Sequence, residues 1–258
     1  MLIDAHNHLQ DPRFNGHTNN IVAAMKEVGI ATCVVNGTEP SDWTAVADLA
    51  QRHSNFVLPS FGLHPWKIKG RADDWRQQLE DVLQRHPDAG VGEIGLDRWI
   101  DDYDIEDQKS VFRQQLNLAG TLQRPCTIHC LKAWGILIDE LQACDRLPRI
   151  LIHSFGGSIE TAKQLLSLGC WFSFSGYFLH ARKSAIIDVF RQLPADRILI
   201  ETDAPDMALP EDEQEFRNSQ FNHPANLRRI SQRVVEQIGV SVEQLAENTN
   251  HWWQGSGR

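Results

Sequence analysis

Short apolar runs alternate with longer polar segments along almost the whole chain, and the alternation repeats eight times. Each run is four to six residues long and rich in valine, isoleucine, leucine or phenylalanine, which is typical of buried strands. The predicted strands cover residues 2–5, 31–36, 56–61, 90–93, 126–129, 149–153, 170–174 and 197–202.

The segments between the runs have the three-to-four residue spacing of amphipathic helices. The clearest of them cover residues 41–53, 74–85, 104–122 and 158–168. Strands that alternate with helices in this way form parallel β-α-β units. Eight such units in 258 residues fit a (β/α)8 TIM barrel better than an open, doubly wound sheet. We therefore predict an α/β fold with one barrel domain over residues 1–258.

Additional helices are predicted after the eighth run. A loop with charges of both signs, residues 211–217, precedes a helix that Asn222 is expected to cap, with Pro224 in its first turn. A last helical segment from Ser241 to about Trp252 is expected to pack on the outside of the barrel.

Composition is that of an ordinary globular protein, with 41% hydrophobic and 23% charged residues. The N-terminus has no basic segment followed by an apolar core, and eighteen apolar residues never run together. We therefore expect no membrane association and a cytoplasmic location. The five cysteines are scattered without a C-x-x-C pair, which predicts reduced, buried and unreactive thiols.

The net charge of −9 argues against an extended surface for duplex nucleic acid, since such a surface must neutralise many phosphates. A compact site that holds one phosphodiester, with a few local cations, remains compatible with it. The eight tryptophans, including the Trp252–Trp253 pair, could stack bases. Most of them lie in or near predicted helices, so we predict that they pack in the core or between helices.

Residues able to bind metal follow the predicted strands. In a TIM barrel the carboxyl ends of the strands surround one mouth, where the chemistry takes place. The candidates at these ends are His6 and His8 after the first strand, Glu93 after the fourth, His129 after the fifth, His153 after the sixth and Asp203 after the eighth. Imidazole nitrogen and carboxylate oxygen suit zinc, manganese, iron or nickel, and magnesium is a further candidate. Three or four ligands serve one zinc, whereas six favour two ions that convert a shared water into a hydroxide nucleophile.

Each of these residues taken alone has a simpler interpretation. A single histidine at the end of an apolar strand, such as His129 or His153, is more often a core or surface residue than a ligand. Glu93 alone could be a salt-bridge partner, and Asp203 alone could bond its own backbone ahead of Pro205. Together they are poorly explained by coincidence, because a His-x-His pair and four more ligand types occupy equivalent places.

Seven short motifs carry a resemblance to a known family. They are DAHNHL at 4–9, GLHP at 62–65, GEIGLD at 92–97, IH at 128–129, HSFGG at 153–157, ETDAP at 201–205 and PANL at 224–227. In this order they resemble the TatD-type DNase family, which comprises metal-dependent hydrolases of TIM-barrel fold related to the amidohydrolases. The resemblance covers essentially the whole chain.

The resemblance implies a role for each candidate. It implies that one divalent ion is held by His6, His8, Glu93 and Asp203, and a second by Glu93, His129 and His153. Asp203 would also deprotonate the attacking water, as a carboxylate beside that water can. His64 would reach the substrate phosphate, although it could equally be a turn histidine fixed by Pro65.

The chain departs from many relatives at two places. After the fifth strand an arginine is expected, but the sequence is Cys130-Leu131-Lys132; Lys132 supplies a charge but cannot bind phosphate in a bidentate manner. Arg98 stands where tyrosine is common. Asp206 adds an acid near Asp203, as in one subgroup of the family, and a solvated loop acid is the simpler interpretation.

Three functions remain in competition. The leading hypothesis is a monomeric deoxyribonuclease, a two-metal phosphodiesterase acting on small or single-stranded nucleic acid from its 3′ end. The second is an amide or ester hydrolase, such as a deacylase, which the acidic charge and the missing arginine favour. The third is a barrel that binds without catalysis, and it predicts a loss of ligands that the sequence does not show.

Overall fold

Eight parallel strands form the centre of the protein. The computed structural model describes residues 1–218 and 220–255, so Ser219 and residues 256–258 of the predicted domain lie outside the described residues. The strands are β1 (Leu2–Asn7), β2 (Ile30–Asn36), β3 (Val57–Phe61), β4 (Gly90–Asp97), β5 (Pro125–Leu131), β6 (Arg149–Ile152), β7 (Trp171–Ser175) and β8 (Ile198–Glu201). They are hydrogen-bonded in sequence order, each parallel to the next. The predicted (β/α)8 barrel is confirmed.

The barrel closes where β1 meets β8. The Asp203 amide donates to the carbonyl of His6 at 3.0 Å, and the His8 amide donates to the carbonyl of Ala204 at 2.8 Å. Below them the buried Asp4 carboxylate accepts hydrogen bonds from the amide of Thr202 at 3.0 Å and from its hydroxyl at 2.6 Å. Burial raises the pKa of Asp4 to about 7, because the hydrogen bonds from Thr202 only partly offset the loss of water.

Helices connect the strands and cover the outside of the barrel. They are α1 (Thr18–Glu27), α2 (Pro40–Arg52), α3 (Trp75–Arg85), α4 (Ile105–Leu122), α5 (Trp134–Gln142), α6 (Ile159–Ser167), α7 (Ser184–Phe190), α8 (Leu227–Ile238) and α9 (Val242–Gln254). Side chains that precede three of them accept hydrogen bonds from first-turn amides, which otherwise have no partner within the helix: Asp104, Ser158 and Ser241.

The predicted N-cap at Asn222 is wrong. A 3₁₀ turn (Pro224–Asn226) precedes α8, and the ring of His223 accepts the hydrogen bond from the Ala225 amide at 3.1 Å. Asn222 is buried instead, and its amide group donates to the carbonyl of Thr202 at 2.9 Å. The prediction failed because an Asn before a Pro resembles a cap in sequence, whereas here it ties the final loop to the end of β8.

The tryptophans of the last helix, α9, pack into the interior of the barrel, which corrects the prediction that this helix packs on the outside. Trp252 is fully buried and Trp253 nearly so. Both belong to a small apolar cluster whose other buried members come from four strands: Ala5, Val34, Leu151 and Leu199. The two indoles therefore seal the barrel, and a fully buried Trp contributes about 3–5 kcal/mol to the free energy of unfolding.

Most tryptophans pack as predicted, but two do not. Six of the eight are buried or half-buried. Trp66 and Trp99 are 56% and 63% exposed, so packing is the wrong prediction for them. Within residues 1–218 and 220–255, no helix has both the length and the apolar character needed to cross a bilayer.

Candidate metal centre

The six predicted ligands meet in one place, at the carboxyl-terminal mouth of the barrel. His8, His153 and Asp203 lie just past β1, β6 and β8. Three strands, β1, β4 and β5, extend further than predicted. His6, Glu93 and His129 therefore lie within these strands and not at their ends. Three overlapping groups have donor atoms within 4.8 Å of one another: His6, His8 and Asp203; His6, Glu93 and His153; and His64, Glu93 and His129.

Glu93 is the centre of this cluster and is only 3% exposed. Its Oε2 is the oxygen nearest to His6, at 3.4 Å, and to His8, at 3.2 Å. Its Oε1 is the oxygen nearest to His129, at 3.2 Å, and to His153, at 2.8 Å. One carboxylate thus presents a different oxygen to each half of the site, which is the geometry of a bridging ligand.

The first half consists of His6, His8 and Asp203. Nε2 of His6 lies 3.2 Å from Nε2 of His8 and 3.3 Å from Oδ1 of Asp203, and the same Oδ1 is 3.6 Å from His8. Donor atoms that share a zinc ion in a tetrahedron lie about 3.3–3.6 Å apart, given metal–ligand bonds of about 2.0–2.2 Å. The spacing therefore fits one ion.

The tautomer of His8 also fits metal binding. Its Nδ1 lies 2.8 Å from the carbonyl oxygen of Asn36. A carbonyl oxygen can only accept, so Nδ1 carries a proton, and Nε2 faces the site with a lone pair whenever the ring is neutral. His6 is completely buried and its Nδ1 has no hydrogen-bond partner among the described residues.

The second half contains two histidines, each backed by a carboxylate. Nδ1 of His129 lies 3.2 Å from Nε2 of His153, and both face Glu93. On the far side of its ring, His129 Nε2 lies 2.9 Å from Oδ2 of Asp97. His153 Nδ1 lies 3.5 Å from Oε1 of Glu201. Carboxylates in these places orient a metal-binding imidazole and make it a better donor.

Glu201 is held rigidly behind His153. Its Oε1 accepts hydrogen bonds from the amide of Ser154 at 2.7 Å and from its hydroxyl at 2.6 Å, and its Oε2 accepts one from the hydroxyl of Ser173. The carboxylate is fully buried, so these bonds replace its hydration. Its position behind His153 suits a carboxylate that supports a metal-binding imidazole.

Asp97 is a site residue that sequence reasoning missed. Besides contacting His129, it accepts hydrogen bonds from the indole Nε1 of Trp66 and from the amide of Trp99, both at 2.6 Å. The contact with His129 and these bonds outweigh burial and lower its pKa to about 2. The sequence prediction ended this strand at Glu93, so Asp97, four residues later, was not assigned to the mouth of the barrel.

His64 lies in the cluster and is also a turn histidine, whereas its contact with a substrate phosphate stays a prediction. Its Nδ1 accepts a hydrogen bond from the Trp66 amide at 3.1 Å, which fixes the turn after Pro65. The proton is consequently on Nε2, which lies 3.2 Å from Oε1 of Glu93. Burial lowers the pKa of His64 to about 4, so the ring is neutral and faces the site with a donor rather than a lone pair.

Close backbone contact holds β4 against β5 beside the site. A side chain at Gly95 would place its Cβ 1.9 Å from the carbonyl oxygen of His129, so only glycine fits there. This contact places the His129 ring next to Glu93 and Asp97.

The remaining predicted residues lie at the rim. Lys132 Nζ lies 3.9 Å above the ring of Trp99, outside the three metal-competent groups. Asp206 is 63% exposed and forms an ion pair with Arg13, with oxygen–nitrogen distances of 2.8 and 2.9 Å. The pair joins the loops after β1 and β8, so Asp206 is a partner of Arg13 rather than a free acid.

Carboxylates raise the proton affinity of several histidines in the site. Burial lowers the pKa of His8, but the hydrogen bond and charge of Glu93 outweigh it and raise the pKa to about 9. Burial is likewise outweighed at His153 by the charge of Glu93 and at His129 by the hydrogen bond to Asp97, so both pKa values are raised. In the metal-free protein at pH 7.5 the His8 ring therefore carries a second proton that a metal must displace.

Metal binding is therefore expected to release at least about one proton per chain at pH 7.5. The affinity of the protein for the metal is expected to rise as the pH is raised towards 9. Titration calorimetry in buffers with different ionisation enthalpies measures this number directly. His8→Asn should lower it. His251→Asn, at an exposed histidine of α9, should leave it unchanged. Heats that are independent of the buffer would contradict the prediction.

Comparison with known proteins identifies the family. The model of the family described as "TatD related DNase" matches residues 3–254. The chain belongs to the TatD-related DNase family. The resemblance carried by the seven motifs is thereby confirmed.

Individual members of the TatD-related DNase family resemble the chain over nearly its full length. The uncharacterized metal-dependent hydrolase YjjV of Escherichia coli K12 is 33% identical over 249 residues, which cover 95% of this chain and 93% of that protein. Its crystal structure matches with a TM-score of 0.90, 30% identity and 98% coverage of both chains. The 3′-5′ ssDNA/RNA exonuclease TatD of Edwardsiella piscicida is 28% identical over 252 residues, with 96% of both chains covered.

Proposed function

We propose that this protein is a two-metal phosphodiesterase that removes nucleotides from the 3′ end of single-stranded nucleic acid. The observation that carries the proposal is Glu93, whose two oxygens face two separate groups of histidines. Family membership supports the reaction class, and relatives named 3′-5′ ssDNA/RNA exonucleases support the substrate and the polarity. A cytoplasmic location and a monomeric state stay predictions.

The side chains divide between two ions. Oε2 of Glu93 would complete the first site, and Oε1 the second, with the carboxylate shared between them. The ligands proposed for the first ion are His6, His8, Asp203 and Glu93; those for the second are Glu93, His129 and His153. When bound, two divalent ions neutralise the phosphodiester and lower the pKa of a shared water to near neutrality.

The chain's own groups complete the chemistry. Oδ1 of Asp203 is the oxygen nearest to His6 and His8, so Oδ2 is left to accept the proton of the attacking water. Nε2–H of His64 is the donor that can hydrogen-bond a phosphate oxygen, which matches its predicted role in binding substrate. Asp97 fixes the ring of His129 through a hydrogen bond, and Glu201 lies behind the ring of His153.

Hydrolysis of an ester or amide is the second candidate function. The segment after β5 brings no arginine to the mouth: Leu131 is exposed and Lys132 lies over Trp99. A single lysine binds phosphate more weakly and with less directional specificity than an arginine pair. An acyl substrate needs no such contact, so this observation favours it.

One experiment separates the candidate functions. Metal content per chain is measured together with hydrolysis of a short single strand, an aryl phosphodiester, an acyl ester and a cyclic amide, before and after chelation. We expect about two ions per chain, hydrolysis of the phosphodiesters only, and loss of activity with EDTA that added metal restores. Hydrolysis of the acyl compounds alone would favour the second candidate. A protein without bound metal or activity would favour a barrel that only binds.

A further inference from the structure

Exposed aromatic side chains are concentrated on one side of the barrel mouth. Among the described residues, the exposed large aromatics are Trp66, Trp99 and Tyr103, and all three lie in the segments that follow β3 and β4. Leu131, at the end of the neighbouring β5, is also exposed. Exposed aromatic side chains grouped beside a candidate metal centre are a typical feature of ligand-binding sites.

The same buried carboxylate ties both tryptophans to the metal centre. Oδ2 of Asp97 accepts the indole hydrogen bond of Trp66 and contacts His129, and Oδ1 accepts the amide of Trp99. The ring centroids of Trp66 and His129 are 6.2 Å apart. The aromatic residues are therefore fixed next to the candidate metal centre.

Two cations lie against these rings. Lys132 covers one face of Trp99, with Nζ 3.9 Å from the ring centroid, and Arg98 lies 5.8 Å from the centroid of Tyr103. Across residues 1–218 and 220–255, neither cation has a carboxylate oxygen within 4.0 Å. Both charges are available to a phosphate.

Charge alone does not select a polyanion here, because Asp101 and Asp102 are exposed in the same loop. The ligand must gain from the flat apolar faces and supply a phosphate for the cations. An unstacked nucleobase with its own phosphate meets both requirements, whereas bases within a duplex are already stacked and inaccessible.

We propose that Trp99 and Trp66, with Lys132, form a base-stacking site for the nucleotide next to the scissile phosphate. The proposal rests on the proposed phosphodiesterase function and adds the reason why the substrate is single-stranded. Trp99 supplies the exposed stacking face, Trp66 supplies the edge of the site beside the metal centre, and Lys132 contacts the neighbouring phosphate.

Trp99→Ala is the most direct test. The side chain is exposed, and its link to Asp97 uses the backbone amide, which alanine retains. The probes are a single-stranded hexadeoxynucleotide and the same strand without bases, both with phosphorothioate linkages that resist hydrolysis. Trp99→Ala should raise the Kd of the strand with bases about 10-fold and leave that of the abasic strand unchanged. Lys132→Ala should weaken the binding of both strands.

Matched controls come from an exposed apolar residue and an exposed lysine elsewhere on the surface. Leu122→Ala, at the end of α4, and Lys163→Ala, on α6, should change neither Kd. The proposal is overturned if Trp99→Ala binds both strands like the wild type, or if the wild type binds the abasic strand equally well. A third result would also overturn the proposal: the wild type binds neither strand but self-associates, and Trp99→Ala abolishes this self-association. The exposed aromatic residues would then form an interface between copies of the chain.

Failure of the proposed function gives a different result. If the wild type discriminates between the two strands but does not hydrolyse the unmodified strand, the stacking site stands and the phosphodiesterase does not. If the unmodified strand is hydrolysed equally well by the wild type and Trp99→Ala, with equal Kd values, only the stacking site is lost.

Discussion

Glu93→Gln is expected to reduce hydrolysis of a single-stranded oligonucleotide at least ~10³-fold, more than the loss of a residue that only supports a ligand. Both oxygens of Glu93 face histidine nitrogens, at distances from 2.8 to 3.4 Å. Glutamine keeps one oxygen and replaces the other with an amide donor, so it cannot bridge two cations. The change should also lower the metal content per chain, which elemental analysis measures alongside initial rates.

Glu140→Gln is the matched control for this prediction. Glu140 is also a buried carboxylate, but it lies on α5 and forms an ion pair with Arg113 of α4. Its loss should lower the free energy of unfolding and leave the metal content and the activity per folded molecule unchanged. Full metal content and normal turnover in Glu93→Gln would contradict the bridging role.

Asp203→Asn is expected to lower kcat about 10²–10⁴-fold with little change in KM, because it removes a general base. Asparagine keeps a neutral oxygen for the ion but cannot accept the proton of the water. The backbone of Asp203 has a φ of 52°, in the left-handed region that asparagine adopts readily, so the fold should be retained. Steady-state kinetics, metal analysis and thermal melting of the same sample separate chemistry from binding and stability.

Asp206 provides the comparison for Asp203. It lies three residues further along, is exposed, and pairs with Arg13 rather than with the cluster. Asp206→Asn should therefore leave kcat within about twofold, since an exposed ion pair contributes only about 0–1 kcal/mol. If both variants lost activity equally, or if Asp203→Asn kept the wild-type kcat, the general base would have been assigned to the wrong carboxylate.

Much of the site was predictable because parallel strands bring their carboxyl ends together. The spacing of two residues predicted that His6 and His8 point to the same side at the end of the first strand, and the alternation of runs placed the other predicted ligands at the same mouth. The length of β4 was not predictable. Gly92 and Gly95 interrupt the apolar run, so the strand was predicted to end at Glu93 although it continues to Asp97.

Two other features depend on packing that local patterns do not encode. The spacing of α9 indicated an amphipathic helix, but not that its tryptophans enter the barrel interior. The exposure of Trp66 and Trp99 could not be predicted either, because an aromatic residue after a strand packs inward or faces solvent according to the neighbouring loops.

The contact between β1 and β8 joins two strands that are synthesised at very different times. His6 and His8 are synthesised nearly two hundred residues before Asp203. A growing chain that ends before β8 can hold the residues around Glu93 but lacks Asp203, the carboxylate of the proposed first ion site. Complete loading with metal can therefore follow only after the last strand has joined the first, so the metal content of a nascent chain would report on closure of the barrel.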